Sequence, residues 1–356
     1  MKIEASHYDT VEWNPEPLKP GKLWFRPKTI GKIDIKKKRI ELKSPCRIDV
    51  GLIDYSALKF TDDSDYKAGE ISFSGDIYTT VKVKIIDKPT IEIESTRKLF
   101  VEHYARIMKE VTGYQGGFAI KTKQHNCRHV GFGSSAVMAE TTVMAINELL
   151  GKPLQFRDVR ELVSHNFVEE ADSKDMLFPG ATTGGSFNTI RRGGMVITST
   201  ESEEIFHIDT PLDYSFVVGT PDVHTAGPES SETDVNCMGW ERHNERINAA
   251  KSSLWIITEV MPYAVRGEWD KVGNAFYNYT LFGGKSMQML YYQSALADVL
   301  FQLKIAKVEG GWMTSAGPSL VAFTKDKVDI AREIFEKNKF KQILVVRPDN
   351  KGITEL

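Results

Sequence analysis

The sequence predicts an α+β fold, and three observations carry that prediction. Strand-like alternation and helix-like spacing occur in an order that mixes hairpins with helices, where a doubly wound sheet would alternate strand and helix strictly. The chain closes on a strand–loop–strand–helix–strand unit at about 308–347. With 356 residues, 41% of them hydrophobic and 26% charged, it can bury a full core as one large domain or two intimately joined ones.

The elements follow in order. Residues 1–43 read as an N-terminal arm: Trp13, Pro15, Pro17, Pro20, Trp24 and Pro27 disfavour a helix and favour extended chain or edge strands. The basic run Lys36 to Arg39 in it reads as a solvated strand face. Ile71–Ile86 alternates apolar and polar residues with many β-branched ones, as a half-buried strand or hairpin does. Residues 97–113 place Leu99, Tyr104, Ile107, Met108 and Val111 at helical spacing and stop at a glycine. Gly117–Lys123 alternates again, and an apolar helix is expected over Ser134–Leu150. A third helix is expected over 156–171, a Gly/Thr-rich turn at 180–185, strands at 186–190, 194–199 and 215–220, and long helices over 238–268 and 286–307.

Composition excludes several function classes. Forty-six Lys and Arg against 48 Asp and Glu give a formal charge of -2, so the strongly basic footprint of a general nucleic-acid binder is missing and any anion must be held locally. Cys46, Cys127 and Cys237 are odd in number and widely spaced, which supports neither a disulfide framework nor a thiolate metal site and fits a reducing compartment. The N-terminus lacks an apolar signal core, and no run of about 18 apolar residues occurs, so a soluble, cytoplasmic protein with no membrane partner is expected.

The strongest local signal is His129-Val130-Gly131-Phe132-Gly133-Ser134-Ser135-Ala136, between a predicted strand and a predicted helix. Two glycines allow a tight approach to a ligand, and the serines add hydroxyls where free N–H groups and the helix dipole favour an anion. The plainer alternative is a glycine turn with a serine N-cap. It is not a P-loop, since the GKS/T tail is missing. Two further segments flank it: Pro45 to Asp54, PCRIDVGLID, and Gly310 to Ser319, GGWMTSAGPS.

Together, in this order, these segments resemble the three motifs of the GHMP superfamily of small-molecule kinases. With Thr182 to Gly194, TTGGSFNTIRRGG, they look more closely like the beta-ribofuranosylaminobenzene 5'-phosphate synthases and related C-nucleoside synthases, over about residues 44–325. The resemblance implies a GHMP-kinase-like two-lobed fold, with a lobe at 44–185 that carries the phosphate loop, a second lobe at 186–356, and a possible homodimer. It also implies a phosphoribosyltransferase that joins phosphoribosyl pyrophosphate to a small aromatic carboxylate through ring carbon, with loss of carbon dioxide and pyrophosphate.

In that chemistry Gly131, Gly133, Ser134 and Ser135 would hold pyrophosphate, with Ser315 and Gly317 on the closing loop. Thr182, Thr183 and Gly184 would hold the 5-phosphate. Arg47 would orient the acceptor carboxylate, and Asp49 and Asp54 would meet ribose hydroxyls or metal. Magnesium is the implied cofactor, held by Ser134 and a carboxylate near the end of the third helix, Glu170 first among Glu169, Glu170, Asp172 and Asp175. Arg47 has a structural alternative, pairing with Asp49 or Asp54.

The chain departs from the synthase pattern: Asp49 replaces His, Ser135 replaces Gly, and Thr183-Gly184-Gly185 replaces Ser-Gly-Ile. Ser135 moves the loop toward the GSSA of the kinases, so an ATP-dependent small-molecule kinase is the alternative. Kinases of the superfamily that use a catalytic base often carry Asp seven residues before a Gly-Gly pair. Here that position is Ser186, which favours the transferase.

Overall fold

The computed structural model describes residues 16–53, 69–125, 130–199 except 172, 174, 181 and 183, 202–222, and 239–356 except 284, 293 and 294. Asp54, Thr183, Asp172, Cys127, Cys237 and His129 lie outside the described residues.

A seven-stranded sheet forms the first layer. Its spine is β1 (Arg39–Leu52) antiparallel to the long β2 (Glu70–Ile86), which is one continuous strand. On one side of β2 runs β4 (Gly117–Lys123), followed by β3 (Ile91–Glu94); at its other end lie β7 (Met195–Thr198) and β8 (Glu204–Ile208). The C-terminal β13 (Thr354–Glu355) covers the edge of β1. The sheet therefore draws on strands on both sides of residue 185. Helices α1 (Lys98–Thr112) and α2 (Ser134–Leu149) pack on it. α2 is buried on nearly every face, its polar side chains included.

The second layer is a four-stranded sheet ordered β10-β11-β9-β12, from β9 (Ser215–Thr220), β10 (Gly310–Met313), β11 (Leu320–Thr324) and β12 (Gln342–Val346). Phe73 of β2 reaches across to Phe216 and Trp312, with ring centroids 5.2 and 5.8 Å away, so one apolar cluster welds the layers.

Four expectations give way. Residues 186–190 are helical, within α4 (Gly185–Arg192), where Phe187 and Ile190 share the buried face. The third helix, α3 (Phe156–His165), is shorter than expected: the Asn166 side chain is spent on the arm, and the chain turns into the hairpin of β5 (Val168–Glu170) and β6 (Leu177–Pro179). The helix expected over 238–268 is α5 (Gly239–Trp255), a π-helical turn at Ile256–Val260 and α6 (Met261–Val265). Pro262 lacks the N–H that a regular helix needs there, and Gly267 at φ 74° ends the run before α7 (Trp269–Phe282). The segment expected as 286–307 contains α8 (Ser286–Tyr292) and α9 (Ala295–Ile305). The terminal unit matches expectation, with α10 (Val328–Lys337) between β11 and β12.

Candidate functional site

The site is built around the N-terminus of α2. Gly131 and Gly133 lie at φ 86° and 62°, in the left-handed region that glycine occupies without strain. Each also permits a close approach. A Cβ on Gly131 would sit 2.2 Å from Thr314 Cγ2, and one on Gly133 would sit 3.0 Å from Arg47 Nε. The Thr314 hydroxyl donates to the Gly131 carbonyl (2.9 Å), the Arg47 amide to the Phe132 carbonyl (3.2 Å), and Arg47 Nη2 to Ser315 Oγ (3.4 Å). The three motifs are thus brought together at one place. Gly133 caps α2 without a side chain, and the first intrahelical bond is Val137 N–H to Gly133 C=O. The N–H groups of Ser134, Ser135 and Ala136 therefore have no partner within the helix.

Below this loop lies a buried ionic group. Arg47 Nη1 donates to Glu70 Oε1 (3.0 Å) and stands 3.8 Å from Asp49, whose other oxygen is 3.7 Å from Lys285 Nζ. Lys285 in turn donates to the Met313 carbonyl at 2.6 Å. Two cations face two anions, the arrangement that makes buried charge tolerable. Burial opposes the Arg47 charge, but Glu70 and Asp49 hold its pKa above the ordinary guanidinium value. Burial pushes Asp49 upward against the pull of Lys285 and Arg47. Glu140 of α2, fully buried and accepting the Ser186 hydroxyl at 2.5 Å, is pushed well above the carboxylate range by burial.

On the outer side of the loop, Ser135 Oγ donates to Glu169 Oε2 at 2.7 Å and accepts from Arg97 Nη2 at 3.1 Å, while Arg97 Nε donates to Glu170 Oε2 at 3.1 Å. Adjacent residues of β5 face opposite ways. Glu170 therefore turns inward to Arg97, and the partly exposed Glu169 meets the helix terminus. The hydroxyl and carboxylate that meet here are Ser135 and Glu169, whereas the sequence reading pairs Ser134 with Glu170. Ser134 is buried, and its carbonyl accepts from Gln124 at 2.6 Å. Among the described residues no group of three or more His, Cys, Asp or Glu side chains is placed to hold a metal.

The expected nest at 182–185 uses its own groups. The Gly184 N–H points to Thr182 Oγ1 (3.4 Å), and the Glu70 carboxylate lies against Gly185, 2.7 Å from where a Cβ would stand. Gly317, at φ 90° against Tyr292 and Met313, shapes the closing loop.

Sequence reasoning missed Glu70, Arg97, Glu140 and Lys285. Only Glu140 carried a local signal, a lone charge within the apolar stretch of α2.

Residues 98–175 match the family model "GHMP kinases N terminal domain". No curated protein matches by sequence. Among solved structures the chain is similar to homoserine kinase from Cytophaga hutchinsonii, at 15% identity and TM-score 0.62 over 91% of this chain and 99% of that one. Mevalonate diphosphate decarboxylase from Staphylococcus aureus matches at 16% and 0.62 over 90% and 98%, and a mevalonate kinase at 12% and 0.59 over 87% and 99%. The chain therefore has the GHMP-kinase-like fold that the motif order implies. No helix among the described residues is long and apolar enough to cross a membrane.

Proposed function

We propose that the chain is a phosphoribosyltransferase that forms a C-riboside 5'-phosphate from phosphoribosyl pyrophosphate and a small aromatic or heteroaromatic carboxylate. The observation that carries this reading is the environment of Ser186. The position where a base-using kinase of this fold carries Asp holds a buried hydroxyl spent on Glu140, so it offers an attacking alcohol no base. A carbon nucleophile needs none. The bond from ribose C1 to pyrophosphate breaks with its electrons leaving on oxygen, ring carbon bonds to C1, and carbon dioxide departs, leaving its bond pair to restore the aromatic ring.

In this reading the free N–H groups of α2, with Gly131, Gly133 and Ser134, hold the leaving pyrophosphate. Arg47, whose Nη2 reaches the closing loop at Ser315, orients the acceptor carboxylate by its charge, while Asp49 faces the ribose. Ser315 and Gly317 close over the group. The Glu169 carboxylate beside a pyrophosphate site would repel the ligand unless a cation lay between them. The Ser135 hydroxyl and the Glu169 carboxylate are hard oxygen donors, and they fit magnesium. The ion would neutralise charge on the departing pyrophosphate.

A second reading, an ATP-dependent small-molecule kinase, is favoured by the same Ser135–Glu169 pair, which serves a nucleotide phosphate equally well. Incubation with phosphoribosyl pyrophosphate, magnesium and a panel of carboxyl-labelled aromatic acids separates the two. Labelled carbon dioxide and pyrophosphate released in equal amounts are the expected products. ADP formed from ATP and a small alcohol, with no pyrophosphate released under any acceptor, would establish the kinase instead.

A further inference from the structure

Arg97 belongs to none of the motifs, yet it is one of the largest fully buried side chains of the protein. It precedes α1 with its guanidinium 4.0 Å over the Phe100 ring. Nε is fixed on Glu170, a carboxylate with no exposed surface, so the fork cannot swing. Nη2 then reaches Ser135 Oγ at 3.1 Å and lies 3.9 Å from Glu169.

A guanidinium only donates. Ser135 Oγ must therefore accept from Arg97, which leaves its single proton for Glu169, in agreement with the 2.7 Å contact. Left alone, a hydroxyl rotates among several partners; between a fixed donor and a carboxylate it has one orientation and one remaining lone pair. The same fork keeps Glu169 beside the hydroxyl by charge. Ser135 stands where the resembled synthases have glycine, so this arrangement depends on this chain's own side chains.

We infer that Arg97 is a positioning residue of the phosphate loop: anchored on Glu170, it sets the Ser135 hydroxyl and the Glu169 carboxylate to face one magnesium–diphosphate group together. The inference rests on reading the loop as a diphosphate site, which the transferase and kinase readings share.

The test is a coupling cycle on binding, read by calorimetry with inorganic pyrophosphate and magnesium as the probe. Removing Arg97 alone would strand the buried Glu170 charge, so the first variant is the double Arg97→Met/Glu170→Gln, which removes both partners. Ser135→Ala and the triple combination complete the cycle. The double variant and Ser135→Ala are each expected to weaken binding about 10- to 100-fold, the range for groups that orient a metal ligand. The triple variant is expected to bind more tightly than the product of the two separate losses allows, because part of what Arg97 does passes through that hydroxyl. A purely structural Arg97 would lower the melting temperature without this loss of additivity.

Multiplicative effects in the triple variant, or wild-type affinity in the double, would overturn the inference and leave the proposed function standing. If the double variant does not fold, Arg97→Lys keeps the charge toward Glu170 but lacks the fork; it is expected to weaken binding, and unchanged affinity there would also overturn the inference. Failure of the wild type to bind magnesium pyrophosphate would overturn the inference and the diphosphate reading together.

Discussion

At the residue scale, the site depends on positions where backbone freedom and buried charge meet. Valine at Gly133 would place a Cβ 3.0 Å from Arg47 Nε and 3.3 Å from Arg47 Cβ, at a φ that a β-branched residue adopts only with strain of about 1–3 kcal/mol. Gly133→Val is therefore expected to fold with lower stability and to lose pyrophosphate affinity in calorimetry. Glu70 and Glu140 make a contrasting pair. Glu70 is the hydrogen-bonded partner of a buried guanidinium, so Glu70→Gln is expected to cost on the order of 3 kcal/mol in urea denaturation at neutral pH. Glu140 has a folded-state pKa raised by burial well above its unfolded value of 4.5. Stability from this group is fully present below that value and is lost as pH rises through the folded pKa. Glu140→Gln is expected to flatten that decline and to be neutral or stabilising at pH 7–8; a loss of stability there would sink the assignment. Arg47, Gly131 and Gly133 were legible in the sequence because local motifs carry them. Glu70, Arg97 and Lys285 were not, since tertiary packing brings them in from elements with no motif of their own.

At the element scale, long periodic segments read correctly: the β4 strand, α1 and α2 stand where alternation and spacing put them. α4 did not, because a segment of eight residues with Thr189 and Ile190 shows too little periodicity to tell helix from strand, and burial of Phe187 and Ile190 decided the matter. The arm was read as extended chain but without its attachment. His103 Nδ1 accepts the Gly21 amide at 3.1 Å, so its other nitrogen donates to the Asn166 carbonyl, and Asn166 Oδ1 accepts the amides of Trp24 and Phe25. Burial lowers the His103 pKa from 6.5 to about 4. The folded state then binds fewer protons than the unfolded chain between those values, so this contribution is complete above pH 6.5 and is lost as pH falls toward 4. Protonated Nδ1 cannot accept from Gly21. Hydrogen exchange at the Gly21, Trp24 and Phe25 amides, corrected for intrinsic rate, should accelerate across that window; protection that stays flat from pH 7 to 4 would refute the latch.

At the scale of the whole molecule, the two layers share one core and are closed by the chain's end. Phe73 packs among Phe216, Trp312 and Phe323, and the Trp312 indole donates to the Asp49 carbonyl, so the second layer touches the strand that carries the candidate site. After β12 the chain returns to the first sheet. Asp349 bonds to Tyr78, its backbone joins Ser74 and Gly194, Asn350 pairs with Thr210 in both directions, and β13 lies along β1. Gly193 is required beneath this tail, since a Cβ there would stand 2.5 Å from the Asn350 backbone. Each hydrogen bond contributes roughly 0.5–1.5 kcal/mol net, so losing the set would remove a large part of the 5–15 kcal/mol typical of a domain. A chain cut after Val346 is expected to lose cooperative melting although neither the phosphate loop nor the second sheet is shortened. In the intact protein, native-state hydrogen exchange should give the slowest amides of β2 and of β9 the same opening free energy, because neither layer can expose its share of the common core without exposing the other's. Two well-separated values would mean that the layers open independently; a single value makes them one cooperative unit.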